Sequence, residues 1–304
     1  MSIENRGKQL GGSIDNGTYT RTRHRYGSYW RGRTDVVTIT PNNLNTDAPR
    51  YILAPGYSAN GNPTTSEEIA ARLALSTGAT VDVFTVSGFL RGRKLSKQAK
   101  KEFPLEPTKN NVRKTGRSTL EINRAASLLH NLKKRGIRTV RIVAHSLGIQ
   151  PAAFAMSLDH EGIIKDGAGV ASGGVNEKRP IKNIITRFGT DSIKEAWRAR
   201  KNKTTKSSMR NLFKAGFTML LKHPIRSAWH EIRAAKYGNV ARTIIDAKAK
   251  LRFLTGTTDA VFGPHAFSTD LNRIQEQVIY DGGHNLIYTD PTFVKEKVVP
   301  LFAA

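Results

Sequence analysis

The stretch "VRIVAHSLGIQPAAF", Val140 to Phe154, carries β-forming residues into a serine and then into small and apolar ones. That serine, Ser146, is a candidate nucleophile. A hydroxyl attacks poorly until a base takes its proton and a third group orients the base. His145, His265 and His284 are candidate bases, and Asp166 and Asp259 candidate orienting acids. His145 is the wrong neighbour for the serine, because adjacent residues of a strand point to opposite faces. His265 is expected in the loop and helix after Asp259, lining the site. Asp259 follows the apolar run "LRFLTGT", and His284 lies in the Gly-rich "VIYDGGHNLIY". Taken one at a time, Ser146 could be a helix N-cap and Asp259 an Asx-turn residue.

These residues need a scaffold, and the sequence predicts one of alternating strands and helices. Thr18–Arg25 and Val36–Thr40 read as a hairpin around "YGSYWRGR". "RYILAPGY" is a strand entering a Gly/Pro/Asn loop, and "TTSEEIAARLALSTG" a helix stopped at Gly78. "ATVDVFTVSG" is a strand, and "STLEINRAASLLHNLKKRG" a helix with a capping-box start, stopped at Gly136. "TVRIVAHS", "LGIQPAAFAMSLD" and "GIIKDGAGVAS" read as strand, helix and strand. "AKLRFLTGT" and "EQVIYDGG" are strands, and "DPTFVKEKVVPLF" a closing helix. Alternation of this kind implies a mostly parallel central sheet flanked by helices, an α/β class, with the hairpin as an antiparallel edge. The expected organisation is a flexible arm over 1–17, a core over 18–175 and 248–304, and a basic helical cap over 176–247.

In open α/β sheets, ligands bind at the carboxyl ends of the strands, where Ser146 falls. A strand–Ser–helix turn needs small residues two before and two after the serine, here Ala144 and Gly148. The following helix start supplies free amides and positive potential for an oxyanion. On these residues the chain resembles the α/β-hydrolase superfamily. "AHSLG" looks like its nucleophile elbow with Ala in place of the first Gly, and "LAPGYSANG" looks like its oxyanion loop. The resemblance implies the chain order Ser, acid, His, which selects Ser146, Asp259 and His284. It implies an oxyanion hole from the Leu147 and Tyr57 amides, and cleavage of an ester or thioester through an acyl-serine. A serine at the elbow argues against epoxide hydrolases and haloalkane dehalogenases, which use Asp there.

The resemblance also implies that the insertion is a lid over the substrate pocket. "SSMRNLFKAGFTMLLKH" puts Phe213, Phe217 and Leu220 on one apolar helical face, with Arg210, Lys214 and Lys222 off it. Trp197 and Trp229 are candidate lid contacts.

Composition limits the alternatives. The 304 residues include no cysteine, which excludes disulfides and thiolate metal sites, and no cofactor or metal is expected. The polar start lacks a signal-peptide core and no apolar run would span a bilayer, so a cytoplasmic protein is expected. Lys and Arg total 49 against 24 Asp and Glu, a net +25. Residues 91–117 hold ten basic and two acidic residues, and 176–250 nineteen and five. Such a field draws anions, which suits an acyl substrate with an anionic head: phospholipid, acyl-CoA or acyl carrier protein. The alternative is a non-catalytic hydrolase-like protein binding nucleic acid or an anionic surface through "RGRKLSKQAKKE" and "TYTRTRHRYGSYWRGR". No zinc finger, P-loop or RNA-binding motif accompanies them. In "GAGVASGG" Ser172 stands where a dinucleotide fingerprint needs its last Gly, so that motif is dismissed.

Overall fold

The computed structural model describes residues 9–27, 33–56, 63–87, 118–173, 250–260, 262–264 and 276–303, with positions 190, 193, 194, 197, 210 and 244. Its centre is a nine-stranded sheet. The strands are β1 (Gln9–Ile14), β2 (Gly17–Gly27), β3 (Arg33–Pro41), β4 (Arg50–Ala54) and β5 (Val81–Ser87), then β6 (Val140–His145), β7 (Ile164–Val170), β8 (Leu251–Gly256) and β9 (Glu276–Tyr280). The helices are α1 (Pro63–Thr77), α2 (Ser118–Lys134), α3 (Ile149–Leu158) and the single turn α4 (Leu286–Thr289).

The strand order is β1-β2-β3-β5-β4-β6-β7-β8-β9. Pairing is antiparallel from β1 through β3 to β5, and parallel from β5 through β4 to β9. The predicted hairpin is β2–β3. The expected arm over 1–17 needs correction: Gln9–Ile14 is a strand, zipped to β2 from Gln9↔Thr22 to Ile14↔Gly17. Its sequence, QLGGSI, has two glycines and no apolar alternation, so only the neighbouring strand makes it β. Residues 1–8 lie outside the described residues.

Period-2 alternation divides the core between the two faces of the sheet. Ile52 and Ala54 of β4, with Val140, Ile142 and Ala144 of β6, pack with Leu128, Leu129 and Leu132 of α2 and Ile149 and Ala153 of α3. Tyr51, Leu53 and Val143 point the other way, onto Ile69 and Leu73 of α1 and onto Phe293, Val294 and Val298 near the C-terminus. From β4 the chain moves through α1 to β5 on one side, then returns through α2 to β6 on the other. Because crossovers share one hand, this reversal puts α1 and α2 on opposite faces and opens a crevice at the carboxyl ends of β4 and β6.

Gly78 and Gly136, both at φ +68°, end α1 and α2 as expected. The closing helix departs from expectation. Val294–Val298 is wound as a π-helix, with the Val299 amide donating to the Val294 carbonyl, and Val299–Phe302 is 3₁₀. Pro300 has no amide to continue an α-helical ladder, so the winding changes around it. Of the expected cap, the described positions Thr190, Ile193, Lys194, Trp197, Arg210 and Ile244 are helical. Ile244 is fully buried in the cluster of α2 and α3, whereas Ile193 and Trp197 are 69% and 66% exposed.

At the amino ends of the strands a second set of buried polar groups ties the sheet. Asp82, at the start of β5, is 1% exposed. It accepts from Arg50 Nη1 at 2.9 and 3.0 Å, from Arg135 Nη1 at 2.8 Å and from the Thr38 hydroxyl at 2.6 Å. Arg50 opens β4 and Arg135 follows α2, so one carboxylate joins three strands and a helix end.

Candidate active site

The register of β4 and β6 pairs Ala54 with Ala144, which brings the loop after β4 beside the end of β6. There the chain turns sharply. Ser146 has φ +52°, left-handed backbone that costs a β-carbon-bearing residue about 1–2 kcal/mol. The turn is held from outside, since the Gly173 amide donates to the Ser146 carbonyl at 3.0 Å. Ser146–Gly148 forms a 3₁₀ turn that runs into α3. Gly148 is required by close approach: a β-carbon there would sit 2.2 Å from the Ala54 carbonyl oxygen and 2.8 Å from that of Pro55. Backbone thus packs on backbone between the elbow and the β4 loop.

The loops after β8 and β9 are zipped together in the same way. The Thr257 amide donates to Tyr280 O and the Thr258 amide to Gly282 O, at 2.9 and 3.0 Å. Asp259 is oriented by the Phe262 amide, which donates to its Oδ1 at 2.8 Å. The Tyr280 hydroxyl donates to Gly283 O at 3.0 Å and braces the next loop. These ties bring three predicted residues together. His284 Nδ1 lies 3.0 Å from Asp259 Oδ2, and His284 Nε2 lies 3.0 Å from Ser146 Oγ. A carboxylate only accepts, so Nδ1 carries the proton and Nε2 is left to accept from the serine hydroxyl. All three residues are buried. An Asp–His–Ser row of this kind can take the serine proton during attack and return it to a leaving group.

No family model matches the chain, and no curated protein matches it in sequence. Solved structures do match in shape. Cfl2 of Burkholderia cenocepacia aligns at TM-score 0.59 with 12% identity, covering 97% of this chain and 99% of that one. A carboxylesterase structure from the thaumarchaeon Nitrososphaera gargenis aligns at TM-score 0.56 with 16% identity, covering 91% and 97%. MGS-M2, an α/β-hydrolase enzyme from a Medee basin deep-sea metagenome library, aligns at 0.53 with 15% identity, covering 91% and 96%. The chain has the α/β-hydrolase fold.

In this α/β-hydrolase frame, the rival acid Asp166 lies at the other end of the sheet. It sits near the start of β7 beside Arg141, 3.2 Å away, and burial raises its carboxyl above the usual range. Gly167 and Gly169 lie within β7 itself, so the first two glycines of "GAGVASGG" are strand residues and not part of a phosphate-binding turn. Leu147 is in the first turn after the strand, where helical amides lack an intrahelical acceptor. Tyr57, Phe213, Phe217, Leu220, Trp229 and His265 lie outside the described residues. Among the described residues, no group of three His, Cys, Asp or Glu could hold a metal, and no helix is long and apolar enough to cross a membrane. A small depression, little larger than one water molecule, lies against Ala54 and Pro55 of the loop after β4. Phe84, Leu128, Pro151, Ala152 and the buried Arg124 complete its lining.

One neighbour of the site, set aside in the sequence as a base, has partners there that the sequence did not reveal. His145 is fully buried, its ring centroid 5.2 Å from that of His284. Its Nε2 lies 3.1 Å from the His284 carbonyl, and its Nδ1 3.3 Å from the Tyr288 hydroxyl. Burial, then the proximity of His284, pushes its pKa down from 6.5 to about 3. Strand alternation correctly turns it away from the serine hydroxyl. Only the arrival of residues 284 and 288 shows what it faces.

Proposed function

We propose that the protein is a serine hydrolase that cleaves a carboxylic ester or thioester through an acyl-serine. The observation that carries this reading is the buried Asp259–His284–Ser146 row, two contacts of 3.0 Å ending on a serine at φ +52°. Ser146 Oγ attacks the acyl carbon while its proton passes to His284 Nε2. Asp259 stabilises the imidazolium and keeps its orientation. The Leu147 and Tyr57 amides hold the oxyanion of the tetrahedral intermediate. When the intermediate collapses, the alcohol or thiol leaves with the proton from Nε2. Water, deprotonated by the same nitrogen, then releases the carboxylic acid and restores the serine.

The acyl pocket would open at the carboxyl ends of β4 and β6, in the crevice beside Ser146. The segment 176–247 would act as its lid, with Phe213, Phe217 and Leu220 over the acyl group and the basic exterior favouring an anionic head. A carboxylesterase among the structural neighbours accords with ester cleavage.

The test is labelling by a fluorophosphonate, with Ser146→Ala and His284→Ala as controls, followed by a panel of esters and thioesters. Labelling that disappears in both variants is expected. A well-folded wild type that does not label at Ser146 would overturn the reading. Faster turnover of a neutral short ester than of anionic acyl substrates, with no salt dependence, would remove the anionic-head preference.

A further inference from the structure

His145 lies where four parts of the site meet. It precedes Ser146 on the elbow, and its Nδ1 would lie 2.9 Å from a β-carbon placed on Gly56 of the β4 loop. Its Nε2 faces the His284 backbone carbonyl, and its ring meets the Tyr288 ring edge-on at 5.0 Å. Among the described residues, the titratable groups around it are His284, Asp259 and Tyr288.

The hydrogen-bond chemistry allows one arrangement that satisfies all groups. A backbone carbonyl only accepts, so the nitrogen facing His284 O must be Nε2–H. Burial holds the Tyr288 hydroxyl above its ordinary pKa, so it keeps its proton and donates it to Nδ1. A protonated imidazole would turn a second N–H toward Tyr288 and place a cation beside His284. With His145 kept neutral, the positive charge that develops on His284 during attack meets no competing cation. The bond from His145 also holds the backbone on which the His284 ring hangs. Nε2 of His284 must stay near 3 Å from Oγ for proton transfer.

We infer that His145 is a positioning residue for the reaction, its Tyr288-oriented imidazole clamping the His284 carbonyl so that the ring stays aligned between Asp259 and Ser146. This rests on the reading of Ser146 and His284 as the reacting pair. The elbow histidine and the short helix after the base thus form one device, Tyr288 to His145 to His284 O. It links two segments more than 130 residues apart in the sequence.

Three variants separate positioning from simple packing. Tyr288→Phe removes only the hydroxyl. His145→Leu removes both polar contacts, and His145→Gln restores an amide donor in reach of the carbonyl. Each is measured as kcat and KM on an activated ester, with active sites counted by fluorophosphonate titration and imidazole tautomers followed by ¹⁵N NMR. In the wild type the His145 ring should hold one Nε2–H tautomer from pH 5 to 8. His145→Leu should lower kcat per active site by about 10- to 100-fold with KM little changed. His145→Gln should recover most of that loss, and Tyr288→Phe should lower kcat by several-fold while loosening the tautomer. A wild-type kcat in folded Tyr288→Phe and His145→Leu, with the wild type labelling normally at Ser146, would overturn the inference alone. A wild type that fails to label at Ser146 would overturn both the hydrolase reading and this one. Failure of His145→Leu to fold leaves Tyr288→Phe and His145→Gln to decide.

Discussion

Two buried aspartates sit at opposite ends of the same sheet, and their partners differ in kind. Asp82, at the amino ends, accepts from two arginines and a threonine. Asp259, at the carboxyl ends, accepts from a backbone amide and from His284. A guanidinium has no accessible neutral form in proteins, so it can anchor a carboxylate but cannot exchange a proton with it. Histidine can gain and lose a proton near neutrality, so a carboxylate–histidine pair can change charge where a carboxylate–arginine pair cannot. Both carboxylates are 1% exposed, so burial does not distinguish them. The proton capacity of the partner does.

The largest effects should come from the carboxyl end and appear in catalysis. Ser146→Ala should lower kcat by about 10⁶-fold and Asp259→Asn by about 10⁴-fold. Both proteins should melt near the wild-type temperature, as calorimetry would show. The comparison breaks if Asp259→Asn unfolds the chain while its esterase activity per folded molecule persists. Asp82→Asn should do the reverse, costing about 3–5 kcal/mol of unfolding free energy because the two arginines lose their buried counter-charge. Activity per folded molecule should stay close to wild type, and urea titration alongside active-site counting separates the two quantities.

A smaller effect sharpens the contrast through pH. His145 is held at about 3 in the folded protein against 6.5 ordinarily. Between those values the unfolded chain binds a proton that the native state refuses, so this group's contribution is complete above about pH 6.5. It falls as pH drops toward 3, by about 1.4 kcal/mol per pH unit. Glu67 acts in the opposite sense, since desolvation raises its carboxyl and its unfavourable contribution disappears on acidification. Denaturant midpoints from pH 7 to 4 should therefore flatten in His145→Gln relative to wild type. The smallest effect belongs to the exposed pair of Lys133 and Glu161, 2.7 Å apart. Glu161→Ala should change stability by less than about 1 kcal/mol, since water screens both charges. An effect as large as that of Asp82→Asn would mean that distance, not burial and partner number, sets the worth of these pairs.

Much of this was legible in the residues. Strand periodicity and Gly stops predicted β2 to β9 and the first three helices, because each is decided by the local placement of apolar side chains. "AHSLG" predicted a strand–helix turn with small residues on either side, and the Gly148 contact with Ala54 O gives the steric reason. The signals failed where a neighbour decides. β1 is a strand because β2 offers it a ladder, and Pro300 rewinds a helix that hydrophobic spacing alone would continue. The partners of His145 were not legible, because they arrive 139 and 143 residues later.

Residue types and their spacing determined by themselves that the chain alternates strands and helices and places a serine at a strand end. Those are local properties, set by side-chain periodicity and backbone freedom. The tertiary structure alone decided that β5 lies between β3 and β4 and that Asp259 rather than Asp166 reaches His284. It also decided that His145, beside Ser146, reaches the His284 carbonyl. Each depends on which strands pair and in what register, and pairing brings together groups that no local stretch of sequence contains.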